Sequence, residues 1–309
     1  MKIDKAYCNE LKESITPYLA RELYFDEESE YYGQKLNFSC DSNECSVELV
    51  GVNIYNEKKP KKALHYRTKK NLKHSSECDY FLKNSGASQT EVNKKRKEEG
   101  FKITRYPSEF LLNRPKTSNR SSGNVKIEEY EEEIEPFVRN IAGSSGSSSK
   151  ESVLKTSSLE NMVDCYLHGD FDILNNQNLT IGNKTKKFMH FFKKIKYYQD
   201  EIGLIYWGNV KEIKKYGKNY RIVFKDRPTV DNISYSVSIY IENELIEKYR
   251  KRKLFRSQID SIIDTQEEVL CFFVGTYPQF IEVEKNKEKF KVLGVTIDNL
   301  DHIAFTFGV

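Results

Sequence analysis

Four soft metal donors stand before residue 80 of this chain as two short-spaced pairs, and they restrict its folding more than any other feature. Cys40 and Cys45 form a C-x4-C pair, and 28 residues later His74 and Cys78 form H-x3-C. A structural zinc ion takes four nitrogen or sulfur ligands at tetrahedral corners, often delivered as two such pairs. Bringing the four to one point closes the intervening chain into a loop with pinned ends. C-x4-C suits a turn or knuckle, and H-x3-C places both ligands on one face of a helical turn. Phe38 before the first pair and Tyr80-Phe81 after the second supply apolar bulk to cap a small core. The spacing therefore predicts a structural Zn2+ on Cys40, Cys45, His74 and Cys78, with Cys8 and His65 as the available substitutes. The bland reading is unrelated buried cysteines and a surface histidine.

Residues Lys58 to Lys73 contain eight Lys or Arg and no acidic residue. A metal-pinned loop presenting Lys59, Lys62, Arg67 and Lys69 around Tyr66 suits phosphate contact and base stacking. The competing reading is a loop that is merely well solvated.

The segment Phe38-Ser39-Cys40, Cys45, His65-Tyr66-Arg67 and His74-Ser75-Ser76-Glu77-Cys78 resembles the Cys-rich N-terminal segment of competence-protein CoiA-like families. The likeness covers about 45 residues, and the second cysteine falls one or two residues late. The resemblance implies an association with DNA and implies nothing about catalysis.

Composition divides the 309 residues into three regions. Residues 1–84 hold four of the six cysteines and form the proposed zinc-binding module. Residues 85–158 are dominated by Ser, Asn, Lys and Glu and include Lys94-Lys95-Arg96-Lys97, Glu131-Glu132-Glu133 and the Gly143–Ser149 tract. That composition buries too little apolar surface to offset its ordering entropy, so a disordered linker is expected. Phe110-Leu111-Leu112 and Ile134 to Ile141 are patches able to dock locally. A linker of about 70 residues would raise the effective concentration of one module near the other.

Apolar patterning returns over 159–309. Helices are expected at Leu159–Leu167 and Thr185–Tyr198, then strands at Leu204–Ile213, Tyr220–Phe224 and Tyr235–Ile241. A charged helix follows from Glu242 to about Asp264, and strand runs Val269–Val283 and Phe290–Phe307 close the region. Three strands, a helix and two strands is the order of a five-stranded OB-like β-barrel, here about 202–309. The fold class is thus α+β: zinc module, disordered linker, and a C-terminal OB-like barrel preceded by helices. On that barrel Trp207, Lys218, Tyr220 and Arg221, with Tyr216, Tyr235 and Tyr240, are candidate base and phosphate contacts. Aromatics in strands also serve as core or cross-strand packing. Arg250 and Arg252 lie in a dense basic block in the barrel helix and complete the candidate set, although a solvated helix face explains such a block too. His168, His190, His302, Cys165 and Cys271 are isolated and read as structural.

Bulk properties set limits on these readings. Fifty Lys+Arg against 46 Asp+Glu leave +4, which does not mark an indiscriminate polyanion binder. A mean hydropathy of -0.69 fits a folded part diluted by a polar one. No run approaches the roughly 20 apolar residues of a membrane span. No apolar h-region follows the N-terminus, so a cytoplasmic location is expected and six cysteines read as metal-type or buried. Phosphate-cradling GxxxxGK[ST] and GxGxxG loops and the GxSxG elbow are absent. A PD-(D/E)xK nuclease would need paired acids and a lysine. Asp231 with Glu242 and Glu244 lacks the lysine, and Glu282-Val283-Glu284-Lys285 offers a weaker set. No catalytic residues are assigned. The expected function is nucleic-acid binding, favouring single-stranded DNA or RNA. A protein-interaction adaptor with a protein partner and a metal-dependent nuclease are the alternatives.

Overall fold

In a computed structural model of the chain, residues 2–42, 45–58, 63–78, 80, 106–114, 154–285 and 288–307 are described. Helix and strand mix throughout, as an α+β chain requires. The first six strands are β1 (Lys2–Ile3), β2 (Ala6–Cys8), β3 (Glu13–Ile15), β4 (Phe38–Ser39), β5 (Glu48–Val52) and β6 (His65–Thr68). They form an antiparallel sheet of order β1-β6-β5-β4-β2-β3. Alternation seats the sheet: Ala6 and Cys8 of β2, Phe38, Leu49 and Tyr66 are buried on one core with Ile3, Ile15 and Ile54. Helix α1 (Pro17–Phe25) covers this core. Thr16 caps it by accepting a hydrogen bond from the Leu19 N–H, and Pro17 sits in the first turn, where no N–H is missed.

Residues 106–114 and 154–158 fall inside the expected linker, yet both are built into structure. Strand β7 (Glu109–Phe110) pairs in parallel with β8 (Lys155–Thr156) and with β9 (Asn178–Ile181), which continues to β10 (Lys184–Lys187). Phe110 is fully buried, so the docking expected of Phe110-Leu111-Leu112 has a clear anchor. Imidazole Nε2 of buried His302 lies 2.8 Å from the Leu112 carbonyl and ties the segment to the end of the chain. The rest of the expected linker, including Ile134 to Ile141 and the Gly143–Ser149 tract, lies outside the described residues.

Helix α2 (Leu159–His168), capped by Ser158, matches its expectation, and α3 (Phe171–Asn176), capped by Asp170, follows it. The helix expected over Thr185–Tyr198 does not form. Strand β10 gives way to a 3₁₀ turn (Phe188–Phe191), strand β11 (Phe192–Lys194) and a second 3₁₀ turn (Ile195–Tyr197). Phe188, Phe191, Phe192 and Ile195 are all buried, so the i, i+3, i+4, i+7 pattern is satisfied without an α-helix. Two tight turns joined by an extended step point the same side chains inward.

The large sheet runs β18-β19-β16-β13-β12-β17-β20, with β11 beside β12. Its members are β12 (Ile205–Tyr216), β13 (Asn219–Phe224), β16 (Val237–Ile241), β17 (Val269–Phe273), β18 (Gln279–Lys285), β19 (Glu288–Thr296) and β20 (Ile303–Phe307); β14 (Thr229–Val230) and β15 (Ile233–Ser234) make a separate hairpin. The expected three-strand meander is present, turning at Gly217 with φ +62°. The strand count is a correction: eight strands form this sheet where five were expected, because Val269–Val283 and Phe290–Phe307 each split in two and β11 is added beside β12. The charged segment also splits, into α4 (Asn243–Glu247) and α5 (Arg252–Ile263).

The break between α4 and α5 carries Tyr249, Arg250 and Lys251 into the seam against the N-terminal module. Arg250 meets Asp26 through Nε at 2.9 Å, Glu22 through Nη2 at 2.7 Å, and Asp301 through Nη1. Arg114 joins the same pair of acids, at 2.8 Å from each of Glu22 and Asp26, and Lys251 lies 3.0 Å from Asp301. The Tyr18 hydroxyl donates to Asp164 at 2.6 Å, and the Glu27 N–H donates to the Arg250 carbonyl at 2.9 Å. The two modules therefore dock directly. Burial opposes ionisation of Asp301, but Lys251 and Arg250 outweigh it and hold the carboxyl below its ordinary range. A depressed carboxyl adds its full stability above its unfolded pKa and loses it progressively as pH falls from there through the folded value. Asp301→Asn should therefore cost about 3 kcal/mol near neutrality, since it leaves Lys251 without its carboxylate and removes one of the three that meet Arg250. Denaturant unfolding at pH 7 measures this, and the wild-type contribution should be full above the ordinary aspartate range and decline progressively as pH falls from there toward the folded value.

Candidate metal centre

Strands β4, β5 and β6 place the four soft donors. Cys40 follows β4, Cys45 precedes β5, and the Cys40 N–H donates to the Val47 carbonyl at 2.9 Å, closing a knuckle. The chain leaving β6 turns at Asn71, with φ +71°, and brings back His74 and Cys78. The Cys78 N–H donates to the Ser75 carbonyl at 3.2 Å, so this pair sits on a turn.

Cys40 Sγ lies 3.6 Å from Cys78 Sγ, and His74 Nδ1 lies 3.4 Å from Cys45 Sγ and 3.3 Å from Cys78 Sγ. All four ligand atoms lie within 4.8 Å of one another. Donors bonded to one tetrahedral ion at zinc-like lengths would be separated by about 3.5–3.8 Å, so the donor set fits a single metal ion. His74 Nε2 lies 3.1 Å from Thr68 Oγ1, the outward partner that fixes a ligating ring once Nδ1 faces the metal. Among the described residues this is the one group of three or more His, Cys, Asp or Glu side chains arranged to hold a metal. Cys8 hydrogen-bonds Glu10 in the sheet core, and buried His65 contacts the Ala63 carbonyl through Nδ1; neither substitute belongs to the cluster.

The donors differ in how readily each gives up its proton. Burial pushes the Cys40 thiol well above its usual range, with the Cys78 contact and Cys45 adding to the effect. At Cys45 burial is overcome by the Val47 and Ser75 backbone N–H groups and by the neighbouring thiols, which bring it below its usual value. Burial keeps His74 neutral to lower pH than an ordinary histidine, the state a ligand needs. Cys40, Cys45 and Cys78 are all buried, the arrangement of a closed structural site.

Beside the cluster lies a groove of about 610 Å³ lined by Cys45, Val47, Glu48, Lys69, Lys70, Leu72, Lys73 and Ser75. Lys69, Lys70 and Lys73 are exposed, and Lys69 pairs with Glu48 at 2.7 Å. Arg67 is exposed on β6. Tyr66 is a correction: it is wholly buried, its ring 4.8 Å from that of Phe38, because β6 alternation turns it inward. Lys59 and Lys62 lie outside the described residues.

On the large sheet, period-2 alternation sorts the remaining candidates. Tyr220 is buried at 4% exposure, so its assignment as an external contact is corrected. Trp207 is half-buried, stacked on Phe272 with the Lys194 ammonium 5.3 Å from its centroid, and is likewise a packing residue. Arg221 faces outward, its Nε donating to Ser238 Oγ at 3.2 Å, with exposed Tyr240 directly opposite on β16 and Lys218 exposed in the hairpin turn. Arg250 is consumed by the seam. Arg252 pairs with Glu27 at 2.7 Å at its edge, so the expected basic face of the barrel helix is a docking surface for the N-terminal module. Opposing charges on and just after α1, far away in sequence, account for both corrections. Asp231 occupies a turn at φ +51°, and Glu244 pairs with Lys248; these acids do not gather with Glu242 into a metal group.

No protein-family model matches the chain, and no curated protein matches it. No helix among the described residues is long and apolar enough to cross a membrane.

Elemental analysis of the purified chain should find one tightly held transition-metal ion per molecule, and Cys78→Ser should reduce it below half. Retention should fall as pH drops from neutral toward 5, because protons compete for thiolate and imidazole ligands.

Proposed function

We propose that the chain is a nucleic-acid-binding protein, favouring single strands, whose N-terminal contact surface is held in shape by a structural Zn2+ on Cys40, Cys45, His74 and Cys78. Three thiolates and an imidazole at tetrahedral spacing with no open position are the ligand chemistry of structural zinc. The observation that carries the reading is the groove beside this cluster, where Lys69, Lys70 and Lys73 stand around the exposed Leu72. Cations fixed on a pinned loop contact phosphates without the entropy cost of ordering a free one.

The large sheet supplies the second contact. Its β12–β13–β16 meander, the helices α4 and α5 after β16, the return of β17 to β12 and the parallel β16–β19 pair follow an OB-like course, which supports a barrel-type binding face. On that face Arg221 and Tyr240 point outward from neighbouring strands, with Lys218 at the turn between the first two. A cation beside an exposed aromatic offers phosphate contact and base stacking together.

Titration against labelled single-stranded DNA, RNA and duplex at two salt concentrations tests the proposal. Single strands should bind most tightly, with affinity falling as salt rises. Combined Lys69→Glu, Lys70→Glu and Lys73→Glu should flatten the logarithmic salt slope by about 2, at roughly 0.7 per phosphate contact. Tyr240→Ala should cost about 1–3 kcal/mol of binding while leaving the slope unchanged. Binding indifferent to salt overturns the reading.

A further inference from the structure

One end of the large sheet is open. Strand β20 is packed against α2, whereas the outer edge of β18 carries no strand among the described residues. An exposed edge presents a row of unpaired backbone groups, a template for another strand unless it is guarded.

The β18–β19 hairpin has two unlike faces. Ile281 stands opposite Val292 and Val283 opposite Phe290, so one face is wholly apolar there, with Ile281 at 44% and Phe290 at 45% exposure. On the other face Glu282 stands opposite Lys291 and Glu284 opposite Lys289, all four exposed. Among the described residues one ion pair crosses them, Lys289 to Glu282, and at 3.9 Å between largely exposed groups it neutralises little.

These charges select the occupant. Antiparallel self-pairing centred on Glu282 or on Val283 would set Glu282 opposite its own copy or opposite Glu284. Like charges directly opposite are destabilising, so a second copy is disfavoured. A strand that extends the apolar face beside Ile281 and Val283 and brings cations beside Glu282 and Glu284 meets both demands. We propose that the free edge of β18 captures an extended segment of a partner protein in which Val, Ile or Phe alternates with Lys or Arg, by strand addition. This site is independent of the nucleic-acid reading, because it uses none of the lysines of the metal-side groove.

The full chain is titrated with a labelled synthetic heptapeptide alternating Val or Ile with Lys, and with its counterpart carrying Glu for Lys. Amide hydrogen exchange locates the contact. The Lys peptide should bind at least tenfold more tightly than the Glu peptide and protect residues 279–285. Glu282→Lys with Glu284→Lys should reverse that preference, and Ile281→Ser with Phe290→Ser should weaken both peptides at least tenfold. Circular dichroism and metal content, unchanged in both variants, establish that they fold. Equal binding of the two peptides, an unreversed preference or protection elsewhere overturns the proposal. So does dimerisation abolished by Ile281→Ser with Phe290→Ser, or protection of β18 by single-stranded DNA in place of peptide.

Discussion

The relation between the two halves of this molecule depends on one guanidinium. Arg250 occupies the break between α4 and α5 and reaches Glu22 and Asp26 of α1 and its cap, and Asp301 near the chain's end. Burying such a group is tolerable only when its donors are met, and here three carboxylates from distant parts of the chain do so. Tyr249 and Lys251 on either side turn toward Asp301 as well. A continuous helix from Asn243 to Ile263 could not aim three consecutive side chains into one seam, because successive residues are spread around a helix. The interruption is thus what allows the modules to share a surface.

The metal cluster acts on a shorter scale. It joins the β4–β5 knuckle to the chain leaving β6 and so determines where the basic segment after β6 can stand. Lys69, Lys70 and Lys73 line one groove, and an ion held by the four donors would keep them there against the many conformations of a free loop. The groove is lined by the donor Cys45 and by Ser75, whose carbonyl accepts from the Cys78 N–H, so the surface and its support are the same short stretches of chain.

How much could be read in advance followed from how local each signal is. Cys40, Cys45, His74 and Cys78 were legible because ligand chemistry and spacing travel together, and the β12–β13 turn because Gly217 marks it. Tyr66 and Tyr220 were misread as surface aromatics: a ring beside a cation looks the same in sequence whether its strand faces inward or outward, and only register decides. Arg250 and Arg252 were misread because their counter-charges lie more than 200 positions away on and after α1. The Phe188–Ile195 segment misled for a different reason, since its inward residues are those an amphipathic helix would bury. The apolar face of the β18–β19 hairpin left no clear sign, because Glu and Lys alternate with its apolar residues as on any half-exposed strand.

The parallel pairing of β7 with β8 changes what the long sequence between them does. Just after β7 the Leu111 N–H bonds the Thr156 carbonyl at 2.8 Å, so the described residues on either side of 115–153 are fixed beside one another. With both flanks paired in one small sheet, the placement of the two modules does not depend on how many residues separate β7 from β8. Doubling such a loop costs only about 0.6 kcal/mol of closure entropy. Evolution can therefore lengthen, shorten or rewrite the interval between β7 and β8, the Glu131-Glu132-Glu133 block included, with little effect on the architecture that carries the donor cluster and the sheet.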